Sequence, residues 1–400
     1  MRAVGIIAEY NPFHNGHAFH IQEARKKSQA EVVIICMSGN FVQRGEPALV
    51  SKWQRANSAL EHGADLVVEM PLTSALQAGD IFAQSGVAIL SAMRCADLSF
   101  GVENGKAEDY LRAGRLLQKF DQKIAEEFSK EKMTNTSYAQ QLSDLIEPVL
   151  RKENIALDHR QANSLLGMLY ARENSKLTSP MGLVPVLRKK AQHAEISIDK
   201  AEQMASGTAI RQALLSQDRE LQQAVKHVVP EEVYFSLHQS PYVDWEKAWP
   251  YLKYQLISQD TDQLRQIYQM TEGLENRLKK HIVNSSDFQE FMRTIKTKRY
   301  TWTRLQRLLC YTLLQLKEAD VEQTITTVPR QIRLLGFTSR GREYLNHLNK
   351  NKIDMKIISN LKQSGQESFK MDIKAGNIYR LLADEKIPSQ DFLKSPIIKK

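Results

Sequence analysis

Three cysteines in 400 residues, Cys36, Cys95 and Cys310, are too few and too scattered for a disulfide framework. They form no CxxC pair, so a thiolate metal site is excluded as well. No apolar run approaches the roughly 20 residues that a membrane span needs. Glu9 and Asn11 break the first apolar run too early for a secretory signal. Internal repeats and low-complexity tracts are also lacking. These absences leave the expectation of a soluble cytoplasmic protein, with no membrane and no evident protein partner. Its length suits two or three domains around a substantial core.

Acidic residues are short in only one part of the chain. Residues 241–400 hold 28 Lys/Arg against 18 Asp/Glu, whereas residues 1–240 hold 27 against 28. The basic excess belongs to the C-terminal part, and such asymmetry points to a polyanion as partner. Within it, "FMRTIKTKRYTWTRLQRLLC" (291–310) carries six Lys/Arg and no acid, with Phe291, Tyr300 and Trp302 interleaved. A second basic cluster follows in "PRQIRLLGFTSRGR". A solvated basic helix face would look the same, with Leu305, Leu308, Leu309, Leu313 and Leu316 on its apolar side.

The first hundred residues alternate strands and helices. Residues 3–8, 32–38, 65–71 and 96–103 read as strands, the first two apolar on both faces. Ser51 with Gln54 reads as a capping box opening a helix with Trp53, Ala56 and Leu60 on one face. Asp80 reads as the cap of another, with a stripe of Ile81, Ser85, Ala88, Ile89 and Ala92. Strands separated by helices predict an α/β fold with a Rossmann-like parallel sheet, whose ligands bind beyond the carboxyl ends of the strands. Residues 105–175 read as mostly helical. A turn-rich stretch near 230 reads as a boundary between a domain at 1–230 and a mostly α-helical basic domain at 231–400.

The first strand runs into "EYNPFHNGHAFH", an Asn-Pro turn followed by His-x-Gly-His and a helical pattern ending in Arg25, Lys26 and Lys27. A helix N-terminus after a buried strand offers unpaired N–H groups and partial positive charge, which suits a phosphate. Gly16 permits close backbone approach, and His14 and His17 can donate to phosphate oxygens. Attack on an α-phosphate builds negative charge on those oxygens, and preorganised donors lower that barrier. The rival readings are a structural histidine pair, or a zinc site completed by Glu9 and His20.

His-x-Gly-His after the first strand resembles the signature of the nucleotidylyltransferase superfamily. "SGTAIR" (206–211), about 190 residues on, is similar to its second motif, with Ser206 and Thr208 as an alternative helix cap and Arg211 as the phosphate reader. "GIIAEYNPFHNGHAFH", "SGNFVQRGEPA", "KWQRA", "GADLVVEMP" and "FGVE" resemble one branch, the bacterial tRNA(Met) cytidine acetate ligases. That resemblance implies an ATP-dependent ligase. Acetate is activated as acetyl-adenylate with release of pyrophosphate, and the wobble cytidine of elongator tRNA(Met) is then acetylated to N4-acetylcytidine.

It implies His14 and His17 as catalytic residues. ATP, accompanied by Mg²⁺, would lie on Ile7, Ala8, Glu9, Tyr10, Asn11, Pro12, Phe13, His14, Asn15, Gly16, His17, Ala18, Phe19 and His20. Gly101, Asn163, Arg188, Ser206 and Arg211 would join them, and no protein-bound metal is implied. Ala162 stands where the family's pattern has proline. Arg44 and Lys52, after the second strand, would steer either ATP or the tRNA. Two alternatives remain open at this point: a metabolic adenylyltransferase acting on a small phosphorylated substrate, and a regulator that only senses adenylate.

Overall fold

A computed structural model describes residues 1–119, 121, 138–188, 203–325, 329–361 and 366–400. Within the expected helical region 105–175, residues 120 and 122–137 lie outside the described residues. Strand β1 (Ala3–Ala8) leads into helix α1 (Asn15–Ser28), and β2 (Val32–Ser38) into the short hairpin β3 (Phe41–Val42) and β4 (Glu46–Pro47). Helix α2 (Lys52–Glu61), β5 (Leu66–Met70), α3 (Leu72–Ala75), α4 (Gly79–Ala92), β6 (Asp97–Val102), α5 (Ala107–Lys119) and β7 (Gly182–Leu187) follow.

Strands β5, β2, β1, β6 and β7 form a parallel sheet in that spatial order. The chain steps outward from β1 through β2 to β5, then returns to the other side of β1 at β6. The C-terminal ends of β1 and β6 therefore flank the switch point, where α/β sheets open a crevice. Alternation along β2 explains why its whole length is apolar. Val32, Ile34 and Cys36 pack with Phe82, Val87 and Leu90 of α4 on one face. Val33, Ile35 and Met37 pack with Ile21 and Ala24 of α1 and Trp53 of α2 on the other.

Residues 231–325 are helical and enclose a third core, with Trp245, Trp249, Phe288, Phe291, Leu305 and Leu309. Phe41 of the hairpin and Leu72 and Leu76 beside α3 insert into it. Gly45 at the hairpin tip has φ +80°, and a β-carbon there would stand 2.3 Å from Arg307 N. Only glycine allows the tip to lie this close to the helix Trp302–Leu313, where Trp245 Nε1 donates to Gly45 O at 3.0 Å.

A boundary at residue 230 does not divide the sheet. Strand β8 (Gln331–Phe337) pairs antiparallel with β5, and β9 (Lys356–Ile358) and β10 (Ile397–Ile398) pair parallel with β8. Strands β8, β9 and β10 thus return to the first sheet after the helices, while Ala375, Tyr379 and Leu382 pack into the helical core.

Two caps also differ from the expectation. Ser51 accepts from Gln54 N, but the Gln54 side chain turns to Ser236 and Ser240 and leaves the box half made. Helix α4 is capped by Ala78 without a side-chain bond, and Asp80 lies in its first turn. Its buried positions are Phe82, Ala83, Ser85, Gly86, Val87, Ile89 and Leu90, because it is covered on more than one side. No helix among the described residues is long and apolar enough to cross a membrane.

Candidate active site

The first helix begins earlier than the hydrophobic spacing implies, because His14 is its cap. His14 Nδ1 accepts from Gly16 N at 3.1 Å, and His17 Nδ1 accepts from His14 N at 3.3 Å. This is a capping box built from imidazoles instead of a hydroxyl and a carboxamide. Each ring spends its Nδ1 lone pair on a backbone N–H, so each neutral ring carries its proton on Nε2. The rings stack at 3.6 Å between centroids with 21° between planes, so the two rings stand side by side. A β-carbon on residue 16 would sit 2.9 Å from His14 Cε1, so the glycine keeps room for the capping ring.

Burial holds these imidazoles neutral. His14 is pulled down to about 3 by burial and then by the nearby Arg188 charge. His17 lies well below the usual histidine range through burial, His14, His20 and Arg188. His20 is lowered to about 4 by burial, Arg188 and Lys27. Ser99 Oγ donates to Val184 O at 2.9 Å, so His20 Nε2, 3.0 Å from the same hydroxyl, is its donor. His20 thus ties α1 to β6 and β7.

The other expected residues separate into those that gather here and those with structural duties. Ile7 and Ala8 end β1, and Tyr10 (φ 53°) turns the chain before the cis bond from Asn11 to Pro12. Phe13 is buried against the rings of Tyr10 and His17, in the core. Asn15 fastens the start of α1 to Gln203 O and His227 O, while Ala18 and Phe19 continue its first turns. Arg188 leaves β7 beside Gly101, with its Cγ 3.6 Å from where a β-carbon on Gly101 would lie. Asn163 donates to Glu103 at 2.5 Å, two residues past Gly101. Ser206 caps the helix Gly207–Leu215 by accepting from Ala209 N, which is the plain structural role. That helix brings Arg211 to the Asn-Pro turn, where Nη1 donates to Asn11 O at 2.8 Å and Nη2 pairs with Glu46 at 2.9 Å.

Several working residues carry no readable sequence signal. Glu46 also accepts from Asn11 Nδ2 at 3.2 Å, and Asn11 Oδ1 accepts from Leu49 N at 2.8 Å. The hairpin is thereby sewn to the Asn-Pro turn. Arg55, fully buried, donates to the carbonyls of Glu9, Ser38, Gly39 and Val50 and braces the ends of β1 and β2.

Lys52 does not steer a ligand. It is buried, with Nζ 2.8 Å from both Glu69 oxygens and 2.7 Å from Asp391. Arg44 is exposed at the hairpin tip. The zinc reading also fails on geometry. The Nδ1 atoms of His14 and His17 face backbone donors, His20 is bound to Ser99, and Glu9 accepts from Gln43 N at 2.6 Å.

A stacked pair of Nε2–H donors stands at the N-terminus of a helix and at the switch point of a parallel sheet, a place where such folds bind anionic ligands. The family model for HIGH nucleotidyl transferases matches residues 1–393. The tRNA(Met) cytidine acetate ligase of Latilactobacillus sakei is 41% identical over 398 residues, covering 99% of this chain and 97% of that protein. Its counterpart in Staphylococcus aureus is 38% identical, covering 100% and 99%. A crystal structure of Thermotoga maritima TmcAL bound with alpha-thio ATP superposes with a TM-score of 0.87 at 28% identity, with both chains fully covered. The chain belongs to the HIGH nucleotidyl transferases and, within them, to the tRNA(Met) cytidine acetate ligase family.

Proposed function

We propose that this chain is a cytoplasmic ligase that activates acetate with ATP and acetylates the wobble cytidine of elongator tRNA(Met) to N4-acetylcytidine. The single observation carrying the first half is the stacked His14–His17 pair, with its two Nε2–H donors at the switch point. An acetate carboxylate resists attack by an amine, and acetyl-adenylate replaces its oxide with AMP as leaving group. The neutral imidazoles donate to the α-phosphate oxygens as charge builds on them, without any proton having to move. Arg211 and Arg188 hold the phosphates from either side. Residues Ile7–His20, with Gly101, supply the nucleotide's bed. Mg²⁺ would accompany ATP and help to neutralise its phosphates.

Expected results follow for both substrates. Pyrophosphate exchange into ATP should require acetate and proceed without RNA. Exchange that ignores acetate, or that needs a phosphorylated metabolite, would favour the adenylyltransferase reading instead.

The tRNA surface belongs to the helices of residues 231–325, but not as the sequence pattern suggested. Phe291 and Tyr300 are buried in the helical core, so neither is a stacking platform for a base. Arg307 is buried too, reaching Gln43 O at 3.4 Å, and Arg333 of the second cluster is buried in β8. Arg293 and Lys298 remain exposed, and Arg299 and Arg304 lie half-buried beside Glu272.

Reversing the charge of Arg293, Lys298 and Arg304 together should lower the log–log salt slope of tRNA binding by about two, at about 0.7–0.9 per phosphate contact. Exchange with acetate must persist in that variant. An unchanged slope and affinity would place the RNA surface elsewhere.

A further inference from the structure

The acetyl transfer needs a proton acceptor, and the histidines are the wrong kind of group. The N4–H of cytidine becomes acidic only as nitrogen bonds to the acetyl carbon, so a base must stand ready in the site. His14 and His17 each have Nδ1 occupied by a backbone N–H and Nε2 already protonated, which leaves no lone pair to accept with. His20 donates through Nε2 to Ser99, and burial with the Arg188 charge pulls it down to about 4, which makes its Nδ1 a poor proton acceptor.

The carboxylates near the strand ends are committed as well. Glu46 holds Arg211 and Asn11, Glu103 holds Asn163 and Ser164, and Glu69 and Asp391 share Lys52. Glu9 differs from these. It follows β1 directly, next to Tyr10, whose ring stands 4.7 Å from that of His17. Among the described residues its carboxylate accepts one hydrogen bond, from Gln43 N at 2.6 Å to Oε1. The hairpin thereby fixes the group in orientation and leaves Oε2 available.

We infer that Glu9 is the proton acceptor in the acetyl-transfer step, held in place by the hairpin β3–β4. The inference rests on the acetate-ligase reading above. In that step the N4 nitrogen bonds to the acetyl carbon, the bond from that carbon to the phosphate oxygen breaks, and AMP leaves with the electron pair. The proton released from N4 passes to Glu9 Oε2.

The surroundings suit a base of moderate strength. Burial raises the Glu9 carboxyl above its usual range, opposed by the Gln43 hydrogen bond and the Arg44 charge, with Glu46 raising it and Arg211 lowering it. Arg55, whose guanidinium binds the Glu9 carbonyl, and Tyr170 complete the charged and titratable groups facing it. A carboxylate with raised pKa takes a proton more readily than an ordinary one.

The test supplies chemically prepared acetyl-adenylate to the full-length chain with tRNA and follows a single turnover, so ATP activation is bypassed. In the wild type, transfer should rise with pH through the Glu9 pKa and then level off. Glu9→Gln should slow transfer about 10²-fold or more and abolish that limb of the profile. Glu9→Asp, which keeps the carboxylate but shortens its reach, should recover part of the rate and restore a pH limb. It also decides the matter if Glu9→Gln does not fold.

Wild-type rate and pH profile in Glu9→Gln overturn the assignment while leaving the acetate-ligase reading intact. So does a folded Glu9→Asp variant that transfers acetyl without a pH limb. Failure of the wild type itself to acetylate tRNA from acetyl-adenylate overturns the reading and this inference together.

Discussion

His17→Ala should leave a folded chain whose acetate-dependent pyrophosphate exchange falls about 10²–10³-fold, the usual cost of removing one preorganised donor to a developing charge. His14→Ala should lose as much and also about 1 kcal/mol of stability, because its Nδ1 caps α1 through Gly16 N. Asparagine at position 14 separates the two duties. Its short carboxamide can accept the same N–H, but it presents no Nε2–H at the phosphate.

His14→Asn is therefore expected to melt near the wild type and remain inactive in exchange. Near-normal exchange in that variant would sink the claim that the imidazole acts on the phosphate. A second signature concerns pH. Burial and the Arg188 charge depress both histidines, His14 to about 3. His14 is therefore neutral throughout pH 5–8, His17 lies well below its usual range, and kcat/KM for ATP should show no inflection near pH 6.5. An inflection there that vanished in His17→Ala would mean an imidazolium donor.

Lys52→Met should cost about 3–5 kcal/mol of folding stability, the cost typical of breaking one partner out of a buried ion pair. Burial alone would push the ammonium pKa down, but Asp391 and Glu69 override it and keep the group charged. Without it, the Glu69 and Asp391 carboxylates face each other in a dry interior, and Asp372 lies near them. Burial and Glu69 raise Asp372 to about 7.

Asp391 lies on the short helix Gln390–Leu393, so the loss should first loosen the last residues of the chain from the sheet. Thermal unfolding and hydrogen exchange over residues 389–394 would register it. Lys52→Met combined with Glu69→Gln and Asp391→Asn should recover part of the loss, since these two carboxylates are then neutral, while Arg333 and Asp372 stay buried beside them. An unchanged melting temperature in the single variant would show that the three groups are not a coupled buried cluster.

Residues 3–8 and 32–38 declared themselves as central strands because contiguous apolar residues satisfy two buried faces at once. The His-x-Gly-His segment was legible as the junction of such a strand with a helix, because that junction is local in sequence. The basic character of residues 241–400 was legible as well, since net charge does not depend on the fold.

Contacts between distant residues were not legible. Strand β8 carries Arg333 in its middle and β7 carries Pro185, so neither reads as a strand from its own pattern. β8 lies in the sheet because β5, over 260 residues earlier, offers it an edge. The tautomers of His14 and His17 follow from which backbone N–H each ring meets, which spacing cannot specify.

Arg307 and Arg333 looked like surface because hydropathy assigns charge to water, and Tyr300 because basic residues surround it in sequence. Burial of the three was decided by a glutamate at 272, a carbonyl at 43 and a helix at 390–393. Glu9 resembled its neighbours in the nucleotide segment until Gln43 fixed one oxygen and left the other available. Local periodicity records which face of an element is buried, whereas the partners that neutralise, cap or free a polar group arrive from elsewhere in the chain.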